Sequence, residues 1–96
     1  MFLVALCIGH NVGNSPAWTH DDVVDACTDL LPIDGFTAYP AVGMWQGMRE
    51  DSTVVLVYTD TPDDIVRFVP ALAHNLEQDA IACTVQAVST EFIPAL

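Results

Sequence analysis

The sequence has very little positive charge. Its 96 residues include no lysine and only two arginines, Arg49 and Arg67, against thirteen acidic residues, so the formal net charge is −11. A protein that binds DNA or RNA directly places Lys and Arg side chains against phosphates. The shortage therefore argues against direct nucleic-acid binding and favours a basic macromolecule as the partner.

Long hydrophobic runs and a cysteine framework are also missing. The apolar residues 1–8 have no basic residue before them and no small-residue cleavage site after them, so we do not expect an export signal. No later run approaches the roughly 20 residues of a membrane span. Cys7, Cys27 and Cys83 are odd in number and far apart, which is typical of buried free thiols. These features predict a cytoplasmic protein without membrane association.

The chain does contain enough apolar material for one packed core. Hydrophobic residues make up 52% of the sequence, which separates it from disordered acidic tails. Domains typically have about 100 to 150 residues, so there is no room for a second core. We therefore expect a single α+β domain over residues 1–96.

The hydrophobic pattern predicts four strands and two helices. The two most continuously apolar segments indicate strands that are covered on both faces. Pro40 interrupts the segment between them, which indicates an edge strand. The strands are expected at 2–8, 35–46, 53–58 and 80–88, the helices at 20–31 and 62–76, and a hairpin turn at 47–51.

Several residues mark the helix ends. Thr19 and Asp22 form the Thr-x-x-Asp pattern of a capping box. Thr61 precedes Pro62, which suits an N-cap followed by proline at the first helical position. Pro70 is expected to kink the second helix, because its ring clashes with a carbonyl of the preceding turn.

The element order βαββαβ is that of a ferredoxin-like fold. We expect an antiparallel four-stranded sheet with the first and third strands in the centre and both helices on one face. The first strand is apolar on both sides, so the other face should be covered by the C-terminal tail, a second subunit or a partner. The chain is therefore expected to be a monomer or a homodimer, with Trp45 and Tyr58 as candidate anchors.

Acidic residues collect on one face of the first predicted helix. At 100° per residue they lie opposite the apolar face, and the i+4 spacing is about 6 Å along the axis. A row of carboxylates at that spacing resembles successive phosphates of a nucleic-acid strand. The alternative is a helix face that is simply solvated, with Asp21 and Asp22 placed for the helix dipole, although the dipole disfavours Asp29 near the C-terminus. The predicted partner-binding residues are Asp21, Asp22, Asp25, Asp29, Glu50, Asp51 and Asp60.

No motif for catalysis or metal binding is visible. His10, His20 and His74 are far apart and form no pair with ligand spacing. No pair of carboxylates has a spacing that favours acid–base chemistry. The residues 9–14 match neither G-x-G-x-x-G nor a P-loop. The sequence therefore predicts a binding protein that is not an enzyme and holds neither metal nor cofactor.

A short acidic domain with one carboxylate-lined helix and no catalytic motif resembles the anti-CRISPR proteins of phages. The resemblance implies an inhibitor in the cytoplasm of a bacterial host. Such an inhibitor would bind a basic nucleic-acid-binding surface of a CRISPR effector complex as a DNA mimic and block target DNA binding. These proteins share no signature, so no catalytic residue is implied. Residues 43–47 followed by 51–58 look like an uncharacterised bacterial family with a ferredoxin-like fold, which implies architecture alone.

Another interpretation of the acidity is a high-salt environment. A halophile-type small ferredoxin-like domain would also be rich in Asp and free of Lys, with its acids serving hydration. It would act in ligand binding or as a dimeric enzyme-like module. Folding in low salt distinguishes this hypothesis, since such a protein loses structure there by self-repulsion. An enzyme-like module would also need a concave cleft with convergent polar groups.

Overall fold

The computed structural model describes residues 1–96 and has an α+β architecture. The strands are β1 (Phe2–Gly9), β2 (Asn11–Val12), β3 (Ser15–Pro16), β4 (Thr37–Trp45), β5 (Met48–Thr59) and β6 (Ala82–Ala87), and the helices are α1 (His20–Leu30), α2 (Pro62–Val66) and α3 (Val69–Asn75). Four strands form an antiparallel sheet in the order β4-β5-β1-β6. The predicted ferredoxin-like fold, with its apolar strands in the centre, is confirmed.

The core lies between one face of the sheet and the helices. Side chains alternate across a strand, so Val4, Leu6 and Ile8 of β1 all point to this face and are fully buried. In register beside them on β5 are Val57 and Val55. Each helix adds buried side chains to this cluster, and so does the residue that follows α3: they include Val23, Cys27, Ile65, Leu72 and Leu76. Burial of each large aliphatic side chain stabilises the fold by about 1.5–3 kcal/mol.

The start of α1 confirms the predicted capping box. The Asp22 backbone N–H donates to Thr19 Oγ1 at 3.1 Å, and the Thr19 backbone N–H donates to Asp22 Oδ2 at 2.9 Å. Two N–H groups that have no partner inside the helix are thereby satisfied. The helix ends at Leu30, just before Pro32.

The hairpin between β4 and β5 is tighter than predicted. Its turn consists of Gln46 and Gly47, with φ of 49° and 79°, and Trp45 already pairs with Met48. Two-residue hairpin turns of type I′ require positive φ at both central positions, which glycine adopts without strain. The expected turn at 47–51 is therefore wrong, and Glu50 and Asp51 lie in a strand.

The second predicted helix is divided into α2 and α3. Pro70 lies in the first turn of α3 rather than within a continuous helix. At that position its missing N–H removes no helical hydrogen bond. Thr61 precedes α2 as predicted, but its side chain does not cap the helix. The Thr61 backbone N–H donates to Thr59 Oγ1 at 3.0 Å.

The face of the sheet away from the helices is partly open. Tyr58 is 45% exposed and packs edge-on against Phe92 of the C-terminal tail, with ring centroids 6.3 Å apart. Trp45, on the same face, is 46% exposed. The C-terminal tail thus contacts part of this face. That a second copy or a partner covers the rest of the face stays a prediction. No helix is long and apolar enough to cross a membrane.

Candidate functional site

A cleft of about 670 Å³ lies on the open face, at the end of the sheet where β1 finishes. Its walls come from the β4–β5 hairpin, the loop after β1 and the segment between α3 and β6. Clefts of this size accommodate small organic ligands. Three carboxylates, from Glu50, Glu77 and Asp79, line it together with Trp45, and no Lys or Arg does. The cleft therefore has an excess of negative charge beside an aromatic ring.

Glu50 is the most firmly held of these acids. Its Oε2 accepts a hydrogen bond from the backbone N–H of Asn11 at 2.9 Å, across the end of β1. The carboxylate lies directly over Gly9: a Cβ at that position would be 2.5 Å from Oε1. A glycine here leaves the space that the carboxylate fills.

Trp45 occupies a similar space on the neighbouring strand. A Cβ at Gly43 would lie 2.7 Å from Trp45 Nε1, so the indole edge rests against the glycine. Gly43 pairs with Glu50 across the hairpin. Two glycines, one in β1 and one in β4, thus allow a carboxylate and an indole to lie close to the sheet.

The segment after α3 forms the opposite wall of the cleft. Glu77 has a left-handed backbone, with φ of 52°, and its N–H donates to the His74 carbonyl at 3.1 Å. The Gln78 side chain then donates to the Asn11 carbonyl at 2.7 Å. Asn11 therefore joins this wall to Glu50, because its N–H binds Glu50 and its carbonyl accepts from Gln78.

A separate polar cluster lies on the helix side of the sheet. The buried Thr53 hydroxyl is 2.8 Å from His10 Nε2 and 2.8 Å from His20 Nδ1. One hydroxyl can donate to one imidazole and accept from the N–H of the other, which satisfies two neutral rings. Burial lowers the pKa of His10, although the neighbouring carboxylate of Asp51 opposes this. The cluster ties the start of α1 to β5 and to the end of β1.

The four predicted acids of α1 share one outer surface. Asp21, Asp22, Asp25 and Asp29 are all exposed. Hydrogen bonds from Thr19 lower the pKa of Asp22, so this carboxylate also serves the helix cap. The ion pairs of the protein, Met1 N-terminus to Asp60 and Arg67 to Asp64, involve none of the four. None of the α1 acids therefore forms an ion pair within the protein.

The other three predicted residues lie elsewhere. Glu50 faces the cleft on the open side of the sheet, away from α1. Asp51 borders a smaller cleft beside His10 and His20. Asp60 follows the far end of β5 and pairs with the N-terminal amine at 3.4 Å. The seven residues therefore lie in four separate places, of which only the α1 group is a continuous surface.

Sequence reasoning missed the cleft itself. Glu77 and Asp79 were not predicted as site residues, Trp45 was predicted only as an anchor for a second subunit or partner, and the available signal was indirect. Gly9 and Gly43 lie inside strand patterns, where an isolated glycine indicates a close approach by another group. The structure contains no group of three or more His, Cys, Asp or Glu residues arranged to hold a metal ion.

The comparisons with known proteins concern the fold. No family model and no curated protein matches the chain. A phage SAM lyase in complex with S-methyl-5'-thioadenosine is 22% identical, over 88% of this chain and 79% of the other, with a TM-score of 0.62. A phage SAM lyase in the apo state is 24% identical over 88% and 78%, with a TM-score of 0.64. A DUF3240 family protein from Shewanella baltica is 10% identical over 98% and 96%, with a TM-score of 0.59.

Proposed function

We propose that this protein binds S-adenosylmethionine in the cleft beside Glu50 and cleaves it as a lyase. The observation that carries the proposal is the lining of the cleft: three carboxylates and one indole, without a cation. S-adenosylmethionine carries a sulfonium and an ammonium group, and both are attracted to such a lining. The phage SAM lyase with S-methyl-5'-thioadenosine bound has a similar fold, which supports the choice of ligand.

The aromatic ring suits the same ligand. Trp45 is half exposed at the rim of the cleft, so its face is available to an adenine or to a sulfonium. Cation–π contacts contribute about 0.5–2 kcal/mol, with more where the cation is desolvated. S-methyl-5'-thioadenosine keeps the adenine but has lost the positive charge. The carboxylates therefore favour the substrate over this product, which promotes product release.

The chemistry is cleavage of the bond between the sulfonium sulfur and the amino-acid chain. The bonding electrons go to sulfur and give the neutral thioether. The remaining fragment either loses a proton from the adjacent carbon or is closed by its own carboxylate, and neither route needs water or an oxidant. The Glu50 carboxylate, fixed by Asn11, stabilises the sulfonium during binding and accepts the proton if elimination occurs. Identification of the second product separates the two routes.

A binding measurement tests the role of the cleft. Stopped-flow tryptophan fluorescence gives the affinity for S-adenosylmethionine and for S-methyl-5'-thioadenosine before turnover. Glu50→Gln keeps the size of the side chain but removes its charge, so we expect about tenfold weaker binding of the cation and little change for the neutral thioether. Glu91→Gln, in the exposed tail, is the matched control and should bind both like the wild type. An equal effect of the two variants contradicts the proposal.

The acidic face of α1 supports a second candidate. We propose, as the alternative, that Asp21, Asp22, Asp25 and Asp29 bind the basic nucleic-acid-binding surface of a CRISPR effector complex as a DNA mimic. Four exposed carboxylates with no ion pair favour it. Replacement of Asp25 and Asp29 by Lys should weaken binding to an effector complex markedly, and more at low salt. Wild-type protein that does not compete with target DNA for the complex contradicts this candidate.

A further inference from the structure

The hydroxyl of Ser52 is an unpartnered polar group on the open face of the sheet, where it is covered by neighbouring side chains. Ser52 is 1% exposed, and its Oγ has no hydrogen-bond partner. Alternation along β5 places its side chain on the same face as Glu50, two residues away. Its partners in register are Gly9 of β1 and Ala41 of β4. Buried hydroxyls are normally satisfied, so the Ser52 hydroxyl, which lies beside the cleft residue Trp45, is available to a ligand group.

The indole N–H of Trp45 converges on the same place. The Cβ position of Gly43 is 2.7 Å from Trp45 Nε1 and 3.3 Å from Ser52 Oγ. Only the other tryptophan, Trp18, uses its indole N–H within the protein, donating to the Leu76 carbonyl at 2.8 Å. The two free donors therefore lie no more than about 6 Å apart beside Gly43, and an acceptor placed between them would reach both.

The charge of the cleft determines which acceptor fits. S-adenosylmethionine also carries a carboxylate, which Glu50, Glu77 and Asp79 repel. No Lys or Arg of the cleft is available to offset this repulsion. The carboxylate must therefore be held by neutral donors, and a hydroxyl and an indole N–H are donors of that kind.

We propose that Ser52 and Trp45 form the subsite for the carboxylate of the amino-acid part of S-adenosylmethionine. The inference rests on the proposed function and deepens it. A carboxylate oxygen accepts from the Ser52 hydroxyl and from the Trp45 indole N–H, over Gly43. Because Ser52 is covered in the unliganded protein, the indole moves outward as this oxygen enters, with its N–H still directed at the oxygen beside Gly43.

Comparison of three ligands separates the contribution of the substrate carboxylate to binding from that of the rest of the molecule. S-adenosylmethionine has it, decarboxylated S-adenosylmethionine lacks only it, and S-methyl-5'-thioadenosine lacks the whole amino-acid chain. Ser52→Ala should weaken binding of S-adenosylmethionine about tenfold or more and leave the other two within about twofold. Thr84→Ala removes an exposed hydroxyl of β6 and is the control. Affinities are measured by stopped-flow fluorescence before turnover.

A second readout follows the indole directly. In protein labelled with 5-fluorotryptophan, the fluorine signals of Trp45 and Trp18 are distinguished by means of Trp45→Phe. We expect the Trp45 signal to take different positions with S-adenosylmethionine and with its decarboxylated form, while the Trp18 signal stays constant.

The outcomes separate this inference from the proposed function. Equal weakening of all three ligands by Ser52→Ala, no weakening of any, or one Trp45 position for both adenosyl ligands overturns the subsite and leaves the lyase proposal standing. Wild-type protein that binds none of the three ligands overturns both.

Discussion

Replacement of Gly9 by alanine should move the Glu50 carboxylate without unfolding the protein. The new Cβ would lie 2.5 Å from Oε1, 2.6 Å from Cδ and 2.7 Å from Oε2 of Glu50. Carbon contacts are favourable at about 3.5–4.0 Å, so the carboxylate must withdraw by about 1 Å. Gly9 does not have a left-handed backbone, so alanine fits its conformation without strain.

Gly9→Ala should affect both the stability of the protein and its rate of cleavage. Alanine stabilises by about 0.4–1 kcal/mol through the unfolded chain, whereas loss of the Glu50–Asn11 hydrogen bond costs about 1.5–3 kcal/mol. The free energy of unfolding should therefore fall by only about 1–2 kcal/mol. A misplacement of about 1 Å in a reacting group can lower a rate about 100-fold. We expect that loss in the formation of S-methyl-5'-thioadenosine, measured by chromatography, with urea unfolding as the stability assay.

Gly35→Ala is the matched control for this prediction. No atom lies within 4 Å of a Cβ at Gly35, and its backbone is not left-handed either. It should cleave substrate at the wild-type rate. A Gly9→Ala protein with wild-type cleavage, or one no less active than Gly35→Ala, refutes the argument that the space over Gly9 positions Glu50.

The polar cluster on the helix side gives two further predictions. Thr53→Val leaves two imidazoles without their shared partner, so the free energy of unfolding in urea should fall by about 2–4 kcal/mol. The control is Thr28→Val, at an exposed position of α1, for which we expect little change. An equal loss in both variants contradicts this. Because burial lowers the pKa of His10, the unfolded chain binds more protons below about pH 6.5, and stability should decline as the pH falls from about 7 to 5. His10→Gln should flatten that decline and His74→Gln should not; an unchanged slope in His10→Gln contradicts it.

Local signals in the sequence predicted most of the architecture. The capping box at Thr19 and Asp22 involves residues three apart, and Pro40 identifies an edge strand because it lacks a donor. The position of the hairpin turn was mispredicted, since one positive-φ pair at Gln46 and Gly47 moves the start of β5 to Met48. That shift changes the environment of Glu50 from a turn to a strand that faces a cleft.

The cleft could not be predicted from the sequence, for a different reason. Its central contact joins Glu50 to the backbone of Asn11, 39 residues earlier, and its other acid-bearing wall follows α3. No spacing within a single element indicates such a site, because the sheet order brings the segments together. The α1 acids, by contrast, are related by helical periodicity alone, so the sequence could place them on one face.

Incubation of the purified protein with S-adenosylmethionine shows whether the cleft beside Glu50 is the active site of a lyase. We expect S-methyl-5'-thioadenosine to accumulate in a one-to-one ratio with the amino-acid-derived product. The rate should match the wild type in Glu91→Gln and fall about 100-fold or more in Glu50→Gln, which lacks the charge beside the sulfonium. Absence of S-methyl-5'-thioadenosine with the wild-type protein, or equal formation by both variants, contradicts the claim that this cleft cleaves S-adenosylmethionine.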